Sequence, residues 1–267
     1  MSDILSKIIA QKKMEVTALD LRSLRRAAEE SPRPRDFLGT LQHSNTVSLI
    51  AELKRASPSR GILAAHLDLY EVAGLYAANG ATAISVLTDA RFFLGELETL
   101  RELRFTKNMP LPLLRKDFII DETQIYEARA AGADAVLLIA AALPDDAHFA
   151  NLHACALNLG LTALVEVHDA VEIERSLRLP GVRLVGINNR NLSTFEVSLE
   201  ISEILRPLIP ASIIVVAESA IFSRADVARL ARAGLDAILV GEALMTAPDI
   251  AGRVRELSGR ARKTAKV

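Results

Sequence analysis

The sequence predicts a single (β/α)8 barrel, and three observations support this fold. Eight short apolar runs rich in Val, Ile and Leu, typical of strands buried on both faces, begin near Val47, Ala83, Leu111, Ala135, Thr162, Leu184, Ile213 and Ala237. An amphipathic helical stretch follows each run, at 67–79, 96–104, 121–131, 145–159, 169–177, 198–206, 223–233 and 247–258. The pattern Ala-Gly-x-Asp-Ala, a helix end leading into a strand, occurs at both 131–135 and 233–237. Eight regular units favour a closed barrel over an open doubly wound sheet.

An N-terminal helical segment precedes the barrel. Apolar residues recur at near-helical spacing through residues 3–30, and Pro32 and Pro34 end the pattern. Spacing alone leaves two interpretations open, a solvated helical arm or a helix packed over a site. We therefore expect one domain over 1–267, with a helical extension at 1–46, the barrel at 47–258 and a tail at 259–267.

Composition excludes several classes of partner. The chain has 267 residues, half of them apolar, and 32 basic against 33 acidic residues with no basic block, so nucleic acid is not expected. No apolar run reaches the roughly 20 residues that span a bilayer, and the N-terminus does not resemble a secretory signal. A lone Cys155 allows no internal disulfide and favours a reducing compartment. We expect a cytoplasmic protein. His148 and His153 are five residues apart, which argues against a metal site.

The first predicted strand carries charge at its end. Glu52 and Lys54 are two residues apart, so they share one face of the strand. Burying both charges is costly unless they pair or take part in chemistry. A turn-forming segment that begins at Ser57 follows directly.

Further ionisable residues end other strands, and strand ends converge in a barrel. Lysine is scarce, with 8 lysines against 24 arginines, yet Lys54 and Lys116 both stand at strand ends. A buried lysine can have its pKa lowered toward neutrality, which arginine cannot, so we expect proton transfer at these positions. Glu166, between apolar neighbours, is a candidate general base. The alternative is that these residues form structural ion pairs.

The last two strands end in small residues that suit a phosphate site. Ser219-Ala220 and Gly241-Glu242 each precede a helical segment, so their backbone N–H groups are available to an anion. Small residues also serve tight turns, so this signal is weak by itself.

Together these residues resemble the indole-3-glycerol phosphate synthase family. The resemblance covers nearly the whole chain, and it rests on segments 50–59 (IAELKRASPS), 85–89 (SVLTD), 92–95 (FFLG), 114–119 (LRKDFI), 164–168 (LVEVH), 186–192 (GINNRNL) and 216–219 (VAES). It implies a (β/α)8 barrel with an extra helical segment over the active-site face. It also implies ring closure of 1-(2-carboxyphenylamino)-1-deoxyribulose 5-phosphate, with loss of carbon dioxide and water and without a cofactor.

The resemblance also implies roles for the site residues. Lys116 is expected to be the general acid of ring closure and Glu166 the general base of dehydration. Lys54 is expected to bind the substrate carboxylate, and Glu52 to orient a lysine. The remaining expected contacts are with substrate hydroxyl and carboxylate groups (Asn188, Arg190, Ser219), the aromatic ring (Phe118, Leu239) and the phosphate (Ser57, Ala220, Gly241, Glu242).

Two residues depart from the family pattern. Ala220 stands where glycine is usual, so phosphate binding is expected to weaken if that position needs a positive φ. Glu96 stands where a small polar residue is usual.

Three hypotheses of function follow from the sequence. The first is the decarboxylating lyase, acting on a small phosphorylated substrate as a monomer, with a weak homodimer as the alternative. The second is another phosphate-binding barrel enzyme, such as a sugar-phosphate isomerase. The third is a non-catalytic subunit that has kept the barrel.

Overall fold

The computed structural model describes residues 3–42, 46–58, 60–64, 66–191 and 196–261. Numbering elements in chain order, eight parallel strands form a closed barrel: β1 (Thr46–Leu53), β4 (Ala83–Leu87), β5 (Leu113–Lys116), β6 (Ala135–Ile139), β7 (Thr162–Val167), β8 (Leu184–Asn188), β9 (Ile214–Glu218) and β10 (Ala237–Val240). Each barrel strand pairs with the next along the chain, and β10 closes the ring against β1, with Ile50 opposite Leu239. The predicted fold class is confirmed.

Among the residues that the structure describes, three short strands lie outside the barrel. The hairpin of β2 (Ala56–Ser57) and β3 (Gly61–Ile62), which the sequence did not predict, follows β1 and carries Ser57. Near the C-terminus, β11 (Arg260–Ala261) pairs antiparallel with the beginning of β1.

Each predicted helical segment after a barrel strand is confirmed, with ends that differ by a few residues. These helices are α4 (Leu69–Ala78), α6 (Leu97–Phe105), α7 (Glu122–Ala130), α8 (Asp146–Asn158), α9 (Ala170–Leu177), α10 (Glu200–Leu205), α11 (Arg224–Ala233) and α13 (Ile250–Leu257). Two four-residue helices, α5 (Ala90–Phe93) and α12 (Glu242–Met245), lie in the loops after β4 and β10. In the described part of the chain, no helix has the length and apolar character needed to cross a bilayer.

The N-terminal segment is divided into three helices. The prediction of one helical stretch over 3–30 is wrong at its centre, where α1 (Asp3–Thr17) ends and α2 (Leu21–Glu30) begins. The cause is local: the Asp20 side chain accepts the Arg22 backbone N–H and so caps a new helix. Leu5 and Ile8 of α1 are buried, which favours a packed helix over a solvated arm.

The barrel interior is apolar in the middle of the strands and charged at their carboxyl ends. Inward residues such as Ile50, Leu114 and Leu164 form one buried cluster with Phe37 and Leu41 of α3 (Phe37–Gln42). Because side chains alternate across a strand, the next inward positions, two residues on, are Glu52, Lys116 and Glu166. The strands therefore deliver their charged groups together, on top of a packed apolar floor.

Lys12 connects α1 to the barrel through buried ion pairs. Its side chain is only 3% exposed, and Nζ lies 2.9 Å from carboxylate oxygens of Asp89, Asp117 and Glu15. Burial opposes the charge on Lys12, but Asp117 and the other carboxylates outweigh it and raise the pKa of the amine. Since Asp117 follows Lys116 directly, α1 is anchored beside the site.

Asp117 and Asp89 each organise a loop besides binding Lys12. Asp117 accepts hydrogen bonds from Thr88 Oγ1 at 2.6 Å and Arg115 Nη2 at 3.1 Å. Asp89 caps α5 by accepting the Phe92 backbone N–H at 2.7 Å. Removing the ammonium would leave two buried carboxylates short of positive charge.

We expect Lys12→Met to lower the free energy of unfolding by about 3–5 kcal/mol, the range for breaking a buried ion pair from one side. Urea unfolding measures this loss. The exposed neighbour Lys13 gives the matched control, and Lys13→Met should stay close to the original stability. A loss for Lys12→Met as small as that of the control would contradict the anchoring role.

Candidate active site

An open cavity lies at the carboxyl ends of the barrel strands, beneath α1. It contains about 1220 Å³ of empty space. Every site residue expected from the sequence lines it: Glu52, Lys54, Ser57, Lys116, Phe118, Glu166, Asn188, Arg190, Ser219, Ala220, Leu239, Gly241 and Glu242. The barrel thus brings together residues that are up to 190 positions apart in the chain.

The centre of the cavity is a lysine held between carboxylates. Lys116 Nζ lies 3.4 Å from Glu218 Oε2 and 3.6 Å from Glu166 Oε2. Both glutamates are buried, at 2% and 3% exposure, because they end strands whose neighbours close around them. One ammonium therefore serves two buried carboxyl groups.

The charge on Lys116 is stabilised, contrary to the expectation that burial would lower its pKa toward neutrality. Burial does oppose the charge, but the carboxylates of Glu218, Glu166 and Glu52 outweigh it and raise the pKa above its ordinary value. The expectation was wrong because it counted burial alone. The ammonium holds a proton at neutral pH, which is the form that a general acid requires.

The two glutamates beside Lys116 have opposite protonation. Burial opposes the charge on Glu166, but Lys116, His168 and Asn188 overcome it and hold the pKa of Glu166 well below its ordinary value. Burial also opposes the charge on Glu218, and repulsion by Glu166 and Glu52 adds to it, so the pKa of Glu218 is raised to about 8. The geometry explains the difference, since both Glu218 oxygens are buried without a hydrogen bond. The site can thus both accept and donate protons.

A chain of hydrogen bonds orients Glu166. Asn188 Nδ2 donates to Glu166 Oε1 at 3.1 Å, and Ser219 Oγ donates to Asn188 Oδ1 at 2.9 Å. The amide of Asn188 is fixed from a second side, because its Oδ1 also accepts the Arg190 backbone N–H at 3.1 Å. These contacts give Asn188 and Ser219 a definite place relative to the carboxylate.

Lys54 and Glu52 form the second charged pair of the cavity, with 3.8 Å between Lys54 Nζ and Glu52 Oε2. The Glu52 carboxylate lies against Gly241, where a Cβ atom would come within 2.8 Å of Oε2. Gly186 provides similar room for Glu218, since a Cβ there would lie 2.3 Å from Glu218 Oε1. Both glycines are therefore explained by close approach of a carboxylate.

One side of the cavity is apolar. The rings of Phe93 and Phe118 lie 6.0 Å apart, centre to centre, and Leu239 lines the same cavity. Ile4, Leu5 and Ile8 of α1 add to the lining. A flat aromatic group can pack against such a surface while its polar substituents face the charged side.

The opposite end of the cavity contains strained backbone. Ser219 and Ala220 both have left-handed conformations, with φ values of +66° and +61°. A position that glycine would occupy without strain is thus held by alanine. Nearby, the Glu242 carboxylate forms ion pairs with Arg60, whose Nε lies 3.0 Å away, and with Arg190, whose Nη2 lies 4.0 Å away. These arginines offset a negative charge that would repel an anion.

Some residues of the site were not identified from the sequence. Glu218 ends a strand two residues after the inward Val216, so the alternation that placed Glu52 and Lys54 on one face would have found it too. Phe93 and the apolar residues of α1 carry no such signal, because any amphipathic helix has an apolar face. In the described residues, no group of three or more His, Cys, Asp and Glu side chains could hold a metal ion.

Fold and site together define a (β/α)8-barrel protein with a cluster of ionisable side chains at the carboxyl ends of its strands, the usual place of the active site in enzymes of this fold. The family model for indole-3-glycerol phosphate synthase matches residues 5–257. The chain is 50% identical to the indole-3-glycerol phosphate synthase of Roseiflexus castenholzii over 270 residues, covering 97% of this chain and 100% of that protein. It is 48% identical to that of Albidiferax ferrireducens, over 93% and 96% of the two chains.

The chain belongs to the indole-3-glycerol phosphate synthase family. It is a carboxy-lyase of tryptophan biosynthesis, which closes the ring of a phosphorylated small-molecule substrate with loss of carbon dioxide and water. The lyase reaction of the first hypothesis is confirmed.

Solved structures of lower identity agree on the fold alone. A 3-hexulose-6-phosphate synthase from Salmonella typhimurium superimposes with a TM-score of 0.63 at 16% identity, over 79% of this chain and 96% of that one. A thiamine phosphate pyrophosphorylase from Pyrococcus furiosus gives 0.56 at 20% identity, over 80% and 94%.

We expect Gly186→Ala to lower kcat by about 10²-fold, because its methyl group would displace the Glu218 carboxylate by an ångström or more. Steady-state turnover measures the loss. Gly74→Ala is the matched control, since a Cβ there meets nothing within 4 Å and alanine favours α4. Turnover of Gly186→Ala equal to that of the control would show that Glu218 does not need its position.

We expect Ala220→Gly to raise the free energy of unfolding by about 0.5–1 kcal/mol, because the left-handed backbone costs alanine more than the added flexibility of glycine costs the unfolded chain. Thermal or urea unfolding measures the gain. Ala77→Gly, within α4, is the control and should lose about 1 kcal/mol. Equal losses in both variants would argue against strain at position 220.

Proposed function

We propose that Lys116 is the general acid of ring closure. The carbonyl oxygen of the substrate gains negative charge when a ring carbon attacks it, so a proton donor beside it stabilises the transition state. The observation that carries this role is the single ammonium held between Glu166 and Glu218, 3.4–3.6 Å from their oxygens, at the centre of the cavity.

Glu166 would act as the general base in dehydration. It is the ionised member of the glutamate pair, and its Oε2 accepts no hydrogen bond although it is buried. Asn188 and Ser219 would keep the carboxylate oriented and contact substrate hydroxyl groups through their remaining polar capacity. The newly closed ring loses a proton in the dehydration step, and this proton would pass to the Glu166 carboxylate.

Lys54 would bind the carboxylate that leaves as carbon dioxide, with Glu52 holding the lysine in place at 3.8 Å. The aromatic ring would pack between Phe118 and Leu239, on the apolar side of the cavity. Arg190 would contact polar groups of the substrate from the rim. Every step moves protons, carbon dioxide or water, so we propose that no cofactor takes part.

The phosphate group would bind at the end of the cavity formed by Ser57 and the loops after β9 and β10. Backbone N–H groups near Ala220, Gly241 and Glu242 are the proposed donors. Ala220 keeps its N–H, and it already has the positive φ that its position requires. The substitution of glycine by alanine would therefore cost stability rather than the donor itself.

We also propose that 1–46, 47–258 and 259–267 act as one catalytic unit, a monomer in the cytoplasm. Two observations support a single catalytic unit within one chain: α1 lines the cavity with its apolar residues, and one chain supplies the whole acid–base set. Light scattering of the purified protein distinguishes a monomer from a weak homodimer.

We expect both Lys116→Met and Lys116→Arg to lower kcat by at least about 10²-fold, the usual contribution of a general acid. The arginine variant is the sharper test, because it retains the positive charge that the carboxylates need but cannot release a proton. Formation of the fluorescent indole product measures the rate. Near-normal turnover by Lys116→Arg would reject proton donation by this residue.

A further inference from the structure

His168 lies between two carboxylates at the end of β7, and no step proposed above uses it. Its Nε2 is 3.3 Å from Oε1 of Glu166, a residue that lines the cavity, which is an ion-pair distance without hydrogen-bond geometry. Its Nδ1 is 3.1 Å from Glu172 Oε2, on α9. The imidazole is only 13% exposed. It therefore connects the candidate general base to the barrel wall.

Hydrogen bonds hold the side chain of Glu172, the carboxylate on the α9 side of the His168 ring. Glu172 Oε2 accepts the His168 backbone N–H at 2.8 Å as well as contacting the ring nitrogen. The backbone N–H of Glu172 donates to the Asp169 side chain at 2.8 Å, which caps α9. The turn between β7 and α9 thus holds Glu172, and Glu172 holds the ring in one orientation.

The charge of the ring follows from its two neighbours. Burial opposes a charged imidazole, but the contacts with Glu166 and Glu172 outweigh it and raise the pKa of His168 to about 10. Each ring nitrogen lies within 3.3 Å of a carboxylate oxygen, and an adjacent negative charge favours the protonated ring. The ring between two carboxylates is therefore an imidazolium at neutral pH.

We infer that His168 is a positioning residue for the general base: as an imidazolium held between Glu166 and Glu172, it keeps the Glu166 carboxylate ionised and attracts it to its place beside the ring. The inference rests on the proposed role of Glu166.

Other groups also affect the protonation of Glu166, and their effects can be distinguished from that of His168. Lys116, from β5, favours the ionised carboxylate, and Glu218, from β9, disfavours it. Asn188, from β8, donates a hydrogen bond without charge. The groups that face His168 are Glu166 and Glu172. Replacing His168 removes one of the two positive charges beside Glu166 and leaves the Lys116 contacts in place.

The test follows the titration of the Glu166 carboxyl carbon by 13C NMR, with Glu166→Gln to assign the signal. We expect His168→Gln to shift its midpoint upward by about 1 pH unit or more, as loss of an adjacent positive charge does. His168→Lys restores a positive charge, so the midpoint should move part of the way back down toward its value in the unmodified protein. His66→Gln replaces an exposed histidine and should leave the midpoint unchanged.

Kinetics then separates this inference from the proposed function. If Glu166 is the base, the acidic limb of the kcat profile should move upward in His168→Gln along with the carboxyl midpoint, and move partly back in His168→Lys. A shifted midpoint with an unmoved acidic limb would support the hold of His168 on Glu166 and reject Glu166 as the base. An unshifted midpoint in a folded His168→Gln protein would overturn the inference.

Discussion

The site depends on one electrostatic constraint, the placement of the Lys116 ammonium among three buried carboxyl groups. Lys116 is the shared positive charge of Glu52, Glu166 and Glu218. Three carboxylates this close cannot all remain ionised at low cost, so one of them retains a proton, and the raised pKa of Glu218 identifies which. The same balance keeps Lys116 protonated and Glu166 ionised. Acid and base forms thus coexist within one cluster at neutral pH.

The rest of the barrel is arranged to permit this cluster. The inward positions that precede it along the strands are apolar. The charged groups therefore lie against a surface of low dielectric constant, which strengthens the electrostatic interactions among them. Gly186 and Gly241 leave room for the carboxylates of Glu218 and Glu52. Above the cluster, α1 shields the cavity with apolar side chains, and the buried Lys12 anchors that helix to the residue after Lys116.

The sequence predicted the fold because the fold repeats. Eight strand–helix units are visible in the sequence as alternating patterns. Because the units repeat, the carboxyl ends of the strands must meet at one end of the barrel. Lys54, Lys116 and Glu166 could therefore be placed in one site from the sequence alone. The break between α1 and α2 was missed because one capping residue, Asp20, decides it. The hairpin that carries Ser57 was missed because two-residue strands have no periodicity.

The protonation states of the site residues were harder to predict from the sequence than the fold was. Burial alone predicts a lowered pKa for Lys116, whereas the charges of three carboxylates on other strands raise it. Motif resemblance named the acid and the base but gave no role to Glu218, whose separation from Lys116 appears only when the barrel closes. The positive φ of Ala220 is likewise a property of the folded loop. Sequence patterns locate charged groups, while three-dimensional spacing decides their charge.

The most direct test of this account is the titration of the Lys116 side chain itself. Side-chain 15N NMR of lysine-labelled protein, with the Lys116 signal assigned by its absence in Lys116→Arg, reports the protonation of this amine alone. We expect Lys116 to remain an ammonium as the pH is raised past the usual lysine pKa of about 10.4. Deprotonation of Lys116 near neutral pH would contradict the central claim, because the three carboxylates would then not be holding its charge.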